Sequence, residues 1–289
     1  MNKHDSIKGN LSHSSTPPSE VVENPWRKLR EYTDARIGLG RSGVSLPTHE
    51  MLAFQLAHAQ AKDAVHMPLN VSSLQQKLNS VIRVNQISQY VLHSQAIDRV
   101  SYLQRPDLGR RLDESSQQQL NALSHSLQVN FDLAIVIVDG LSSKAVQQNA
   151  APFIETLLNH FANDADLKEL QLAPITIVEQ GRVAIGDEIG ELLNAKLVVV
   201  LIGERPGLSS PDSLGLYLTW EPNVGRNDAQ RNCISNIRPA GLSFEDASQK
   251  ALYLIKESRR LKLTGVNLKD RSNEKSISNQ MDETNFLIE

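Results

Sequence analysis

The sequence predicts an α/β protein in which a mostly parallel sheet follows a helical N-terminal region. From about residue 25 to residue 127, apolar residues recur at helical spacing with little strand signal. After that, short apolar runs rich in β-branched residues alternate with helical stretches. Such runs are typical of strands buried on both faces. Their alternation with helices predicts a parallel sheet.

The N-terminal region begins with an irregular segment, residues 33–48, which contains three glycines among charged and polar residues. This composition predicts a loop that could wrap around another part of the structure or a bound molecule. Pro47 and Thr48 predict the start of a first helix. Ser72 and Ser73 each have a glutamine three residues later, which fits a capping box for a second helix. The helical spacing that follows continues toward Val91 and Leu92.

Four buried strands are predicted in the second part. They cover residues 131–138, 174–178, 197–202 and 216–220. Pro152 predicts the start of a second helical piece between the first two strands, because proline favours the first turn of a helix. Residues 187–195 predict a short helix. Ser243 with Asp246 predicts the cap of a last helix that ends near Leu261 and is closed by Gly265.

Ligands of parallel sheets bind beyond the carboxyl ends of the strands. The loops at residues 138–143, 179–187 and 203–207 are therefore the candidate ligand-binding loops. Ser142 or Ser143 in the first loop is expected to cap the next helix. A phosphate or polar ligand tail at the same helix start is the alternative.

The glycine-containing segment 181–187 lacks the G-x-G-x-x-G spacing of nicotinamide and flavin sites, and the sequence contains no P-loop. This segment is therefore expected to be an ordinary strand-to-helix turn. Glu204 directly follows a predicted strand. It could accept hydrogen bonds from a large ligand, or it could satisfy a turn beside Arg205 that Pro206-Gly207 shapes. The sequence leaves both interpretations open.

Catalytic constellations are absent from the sequence. The single cysteine, Cys233, lies in no protease-type motif, so we expect a small buried residue rather than a nucleophile. His58 and His66 do not have the i, i+4 spacing of a helical zinc site. The basic cluster at residues 105–111 predicts a solvated turn or an interface. We therefore predict no catalytic and no metal-binding residues, although an independent enzyme that uses Cys233 or Asp139 is an alternative.

The 289 residues include 22% charged residues, and their net charge of −3 gives no electrostatic reason to expect nucleic acid or an anionic membrane as a partner. No apolar run is long enough to cross a bilayer. Composition predicts four regions: a polar leader (1–23), the helical region (24–128), the α/β domain (129–270) and a polar tail (271–289). The helical region could be a separate domain or an arm that binds a partner.

Several segments resemble the small (light) subunit of ethanolamine ammonia-lyase in the order in which that family has them. They include NPWRKLREYTDARIGLGRSGVSLPT, RPDLGRRL, VIVDGLSS, EQGRVAIGDEIGELLNAKLVVVLIGERPGLSS and RNCISNIRPAGLS. The resemblance covers about residues 24–268. It implies a Rossmann-like domain that contacts adenosylcobalamin (coenzyme B12). It also implies a large (β/α)8-barrel partner subunit that binds ethanolamine and carries the active-site residues, with several copies of each subunit.

The resemblance also implies a cofactor site. Val183, Glu204 and Cys233 match the family's cobalamin contacts. The D-x-H-x-x-G loop of cobalamin enzymes that ligate cobalt through histidine is absent, so the cofactor's own benzimidazole is expected to remain on cobalt. The family further implies a bacterial microcompartment if the host makes one, and otherwise the cytoplasm. A structural adaptor with no direct cofactor role is the alternative function.

Overall fold

The computed structural model describes residues 21–82 and 87–272. Most of the predicted leader and tail lies outside these residues. The described residues up to His58 form one compact unit, and those from Ala59 onward form another. The sequence-based division at residue 128 stays a prediction.

The first unit is built around a 3₁₀ helix, Pro25–Glu31, and the irregular segment that follows it. Asn24 begins the helix, because its side chain accepts a hydrogen bond from the Trp26 amide at 3.0 Å. Gly38 has a φ of +60°, and a Cβ there would lie 2.5 Å from the Arg27 backbone nitrogen. Only glycine fits such a close approach. The predicted loop is therefore a defined structure, and helix α1 (Thr48–His66) starts after it as expected.

The second unit contains one six-stranded sheet. Its strands are β1 (Gln89–His93), β2 (Leu133–Val138), β3 (Ile175–Glu179), β4 (Leu197–Gly203), β5 (Leu214–Trp220) and β6 (Asn232–Ile237). Their spatial order is β1-β3-β2-β4-β5-β6. The first four strands in this order are parallel, whereas β5 is antiparallel to both neighbours. The prediction of an α/β fold with a mostly parallel sheet is confirmed.

Helices cover both faces of the sheet. They are α2 (Val71–Ile82), α3 (Arg99–Gln104), α4 (Glu114–Leu127), α5 (Ser143–Asn163), α6 (Ile185–Leu192) and α7 (Phe244–Leu261). Helices α2, α5 and α7 pack on one face, and α4 and α6 pack on the other. Successive residues of β2 alternate between the two cores, so Ile135 joins the first and Val136 the second. This double burial explains the continuous apolar runs in the sequence.

The prediction that Pro152 starts a new helix is wrong, since it lies inside α5. A proline there removes a backbone hydrogen bond and costs about 3 kcal/mol. The side chains of Val146, Phe153, Ile154 and Leu157, on both sides of Pro152, are fully buried in one core. Burial of each such side chain contributes about 1.5–3 kcal/mol, which offsets the cost.

Two strands were missed by the sequence analysis. The helical spacing that seemed to continue toward Val91 and Leu92 ends at Ile82, and β1 follows as an edge strand paired with β3. Strand β6 was also unpredicted. The capping boxes at Ser72 and Ser73 are wrong too, because the Ser73 amide donates to Asn70 Oδ1 at 2.9 Å and the helix starts earlier.

Candidate functional site

The crevice at the carboxyl ends of β2 and β3 is where ligands of such sheets usually bind, because the chain leaves these strands toward opposite faces. Here the protein's own side chains fill it. Asp139, 1% exposed, accepts hydrogen bonds from the amides of Gln180 (2.9 Å) and Gly181 (3.1 Å). Burial raises the pKa of Asp139 to about 6, although these amides and Arg99 oppose the shift.

Two arginines and a tyrosine also occupy this crevice. The guanidinium groups of Arg99 and Arg182 lie 4.7 and 4.2 Å from the centroid of the fully buried Tyr102 ring. Arg99 also donates to the carbonyl oxygens of Val65 (2.6 Å) and Gly140 (2.8 Å). These contacts stabilise the loops around the crevice. We infer that any ligand of this unit binds elsewhere.

Ser142 in the same region caps α5. Its Oγ accepts a hydrogen bond from the Ala145 amide at 3.1 Å and donates one to the Pro211 carbonyl at 2.7 Å. The capping interpretation is therefore confirmed. Ser142 is fully buried, and its hydroxyl already makes these two hydrogen bonds within the protein.

The side of β5 and β6 that faces away from α5 and α7 is only partly covered: Cys233 and Ser235 are exposed, and Glu204 and Tyr217 are half-buried. We call Glu204, Gly215, Tyr217, Cys233 and Ser235 the open face. Tyr217 pairs with Cys233 across the two strands, and the Cys233 Sγ lies 3.3 Å from the Ser235 hydroxyl. Burial and a hydrogen bond with Cys233 raise the pKa of Tyr217. The expectation that Cys233 is buried is wrong: strand alternation buries Ile234 and leaves Cys233 exposed.

Glu204 follows β4 and extends over β5. Its Oε2 accepts hydrogen bonds from the Ser213 hydroxyl (2.5 Å) and the Asn236 amide (3.2 Å). A Cβ at Gly215 would lie 2.9 Å from Oε1, so glycine leaves room for the carboxylate. Gly215 and Tyr217 are two residues apart in β5, which places Glu204 on the same face as Tyr217. Within the described residues, Glu204 makes no ion pair with Arg205, and Oε1 accepts no hydrogen bond.

A groove of about 590 Å³ adjoins the open face at Tyr217. We call it the arginine groove, because four arginines line it: Arg110, Arg111, Arg182 and Arg226. Val183 lies in its wall. Val183 therefore lines the same groove as Tyr217, Cys233 pairs with Tyr217, and the Glu204 carboxylate lies over Gly215, two residues away in β5.

A buried ion pair supports this groove. Arg231, which directly precedes β6, donates from Nη1 and Nη2 to the two carboxylate oxygens of Asp187 in α6, both at 2.6 Å. It also donates to Thr219 Oγ1 in β5 at 3.0 Å. Both charged side chains are 2% exposed. The pair thus joins α6 to the two strands that carry the open face.

Most of the arginine groove was not predicted from the sequence. The basic cluster at residues 105–111, which contains Arg110 and Arg111, was interpreted as a solvated turn or an interface. No local pattern indicated a role for the side chains of Arg182 or Arg226. Residue 226 is more than a hundred positions from the cluster, so only the fold brings these charges together.

Residues 21–82 and 87–272 contain no group of three or more His, Cys, Asp or Glu side chains that could hold a metal ion. No helix in this part of the chain combines the length and apolar character that crossing a membrane requires.

Comparisons with known proteins place the chain in a family. Residues 23–269 match the family model of the ethanolamine ammonia-lyase light chain (EutC). The ethanolamine ammonia-lyase small subunit of Pseudomonas aeruginosa (strain LESB58) is 53% identical over 272 residues, which cover 94% of this chain and 97% of that protein. The small subunit of Azotobacter vinelandii (strain DJ) is 54% identical over 254 residues, covering 88% and 91% of the two chains. The chain therefore belongs to the ethanolamine ammonia-lyase light chain family.

Proposed function

We propose that this chain is the small subunit of an adenosylcobalamin-dependent ethanolamine ammonia-lyase, and that its open face helps to hold the cofactor against the large subunit. The complete enzyme would convert ethanolamine into acetaldehyde and ammonia by a radical route, with the substrate and the catalytic residues in the large subunit. Its location would be a microcompartment if the host makes one, and otherwise the cytoplasm.

One observation carries the proposal: Glu204 and Cys233 belong to the open face, and Val183 lines the groove that adjoins this face at Tyr217. Cobalamin is a broad disc with amide side chains around its rim. The small residues Cys233 and Ser235 let such a disc approach the sheet closely, as glycine and other small residues do where a ligand meets a strand. Val183 supplies an apolar wall. The free Oε1 of Glu204 can accept a hydrogen bond from a rim amide.

The chain's residues would bind and orient the cofactor and exclude water from one side of it. When bound, adenosylcobalamin supplies the radical chemistry that cleaves the carbon–nitrogen bond. The small subunit then needs no acid–base pair of its own. Asp139, the buried carboxyl group with a raised pKa, lies among the side chains that fill the crevice at the carboxyl ends of β2 and β3. Its role there is structural.

Co-purification with the large subunit tests the proposal against the adaptor alternative. We expect the complex to retain a corrinoid, visible in its absorption spectrum, and to deaminate ethanolamine, whereas the isolated chain does neither. An adaptor would assemble with the large subunit and leave its cofactor retention unchanged. Turnover by the isolated chain would instead favour an independent enzyme.

Replacing Glu204 with alanine is expected to weaken cobalamin retention about tenfold, because a hydrogen bond to a charged group contributes about 1.5–3 kcal/mol. The dissociation constant of the complex with the large subunit is measured by titrating cobalamin and recording its visible spectrum. Glu155→Ala is the matched control, since Glu155 is exposed on α5. Equal affinities of the Glu204 and Glu155 variants would remove Glu204 from the site.

A further inference from the structure

The arginine groove is a local concentration of positive charge in a chain whose net charge is −3. Four guanidinium groups line it, against the carboxylates of Asp187 and Asp228. Asp187 is fully engaged by the buried Arg231, and Asp228 lies 3.4 Å from the same guanidinium. The Asp187 charge is balanced by Arg231, so the exposed carboxylate of Asp228 is the one negative charge of the lining that faces the four guanidinium groups.

Three of the four arginines lack a carboxylate partner among the described residues. Arg226 donates from Nε and Nη2 to one carbonyl oxygen, that of Glu221, at 3.1 and 2.9 Å. Arg182 donates to the Tyr102 carbonyl at 3.0 Å, and its buried Nε has no partner. The Arg110 side chain makes no hydrogen bond or ion pair with the described residues, although its backbone amide donates to the Asp107 carbonyl at 3.2 Å.

Arg111 differs, since it pairs with Glu188 at 3.1 Å. The groove thus presents three guanidinium groups with unused donors, together with the phenol of Tyr217 and the side chain of Val183. Arginine favours phosphate, because its planar fork can donate two parallel hydrogen bonds to phosphate oxygens. A ligand that combines a phosphate ester with a flat ring system fits this lining.

We propose that the arginine groove binds the phosphodiester in the nucleotide arm of cobalamin. This inference rests on the proposed function, because the arm is the part of the cofactor that carries its phosphate. The groove and the open face share Tyr217, so a corrin on the open face can extend its arm into the groove. Arg110 and Arg226 are then the residues that recognise the phosphate, and Arg182, which packs on Tyr102, adds positive charge to the wall.

Cobinamide, which keeps the corrin ring but lacks the nucleotide arm, is the probe. The complex with the large subunit is titrated with cobalamin and with cobinamide, using Arg110→Gln and Arg226→Gln. Each substitution is expected to weaken cobalamin binding about tenfold, the effect of losing one charge-assisted hydrogen bond. Cobinamide affinity should not change. Inorganic phosphate should compete with the binding of cobalamin to the wild-type complex.

Lys168→Gln is the control, because Lys168 is an exposed cation near the start of β3, at the opposite end of the strands. Circular dichroism and co-elution with the large subunit confirm that each variant is folded and assembled. Unchanged cobalamin affinity in both arginine variants, or equal losses for cobalamin and cobinamide, would overturn the inference. Failure of the wild-type complex to bind either corrinoid would instead overturn the proposed function on which it rests.

Discussion

Replacing Arg231 with methionine is expected to lower the free energy of unfolding by about 3–5 kcal/mol, the cost of removing one partner from a buried ion pair. Asp187 would lose both 2.6 Å hydrogen bonds while 2% exposed. Burial already raises the pKa of Asp187 even in the presence of Arg231. Its charge would then be uncompensated. Urea denaturation of the purified chain measures the loss.

Two further variants separate charge burial from lost packing. Arg260→Met removes a mostly exposed arginine that pairs with Glu257 in α7, and we expect a loss of about 0–1 kcal/mol. The double variant Asp187→Asn/Arg231→Met should recover part of the stability, because it leaves no buried charge. If Arg231→Met is no more destabilising than Arg260→Met, the pair does not stabilise the link between α6 and β6.

The parts of the fold that the sequence predicted are those whose residues are buried on both faces. Strands β2 and β4 are continuous apolar runs because α5 covers one side of the sheet and α6 the other. Their local composition therefore reflects their final environment. Residues 89–93 form an edge strand with a single fully buried core position, Leu92, and their strand character comes from pairing with β3. The local sequence pattern of residues 89–93 does not show that they pair with β3.

The candidate site likewise contains residues that local sequence could indicate and residues that only the fold brings together. Glu204 could be identified from its place after a buried strand, since that place depends only on local sequence. The prediction that Cys233 is buried was wrong because no helix covers one face of β6. Which face the helices cover depends on the whole fold and not on the residues of β6. Arg110 and Arg226 could not be paired in advance, because the arginine groove forms only when the two loops that carry them meet.

Asp139 is expected to make the free energy of unfolding fall as the pH rises from about 4 to about 6. In the folded chain, burial raises the pKa of this carboxyl to about 6, from an ordinary value of 3.8. The folded state therefore holds the proton more tightly than the unfolded state. Between pH 4 and pH 6 this contribution to the free energy of unfolding decreases by about 2 kcal/mol, and it levels off near neutral pH.

The comparison with Asp139→Asn isolates this effect, because other carboxyl groups, such as Asp164 and Glu50, have lowered pKa values and act in the opposite direction. The stability of the wild type relative to the variant should be greater at pH 4 than at pH 7 by about 2 kcal/mol. Asp166→Asn, at an exposed side chain, should show no such difference. A wild-type advantage that is the same at both pH values would mean that the Gln180 and Gly181 amides, with Arg99, fully compensate the buried charge.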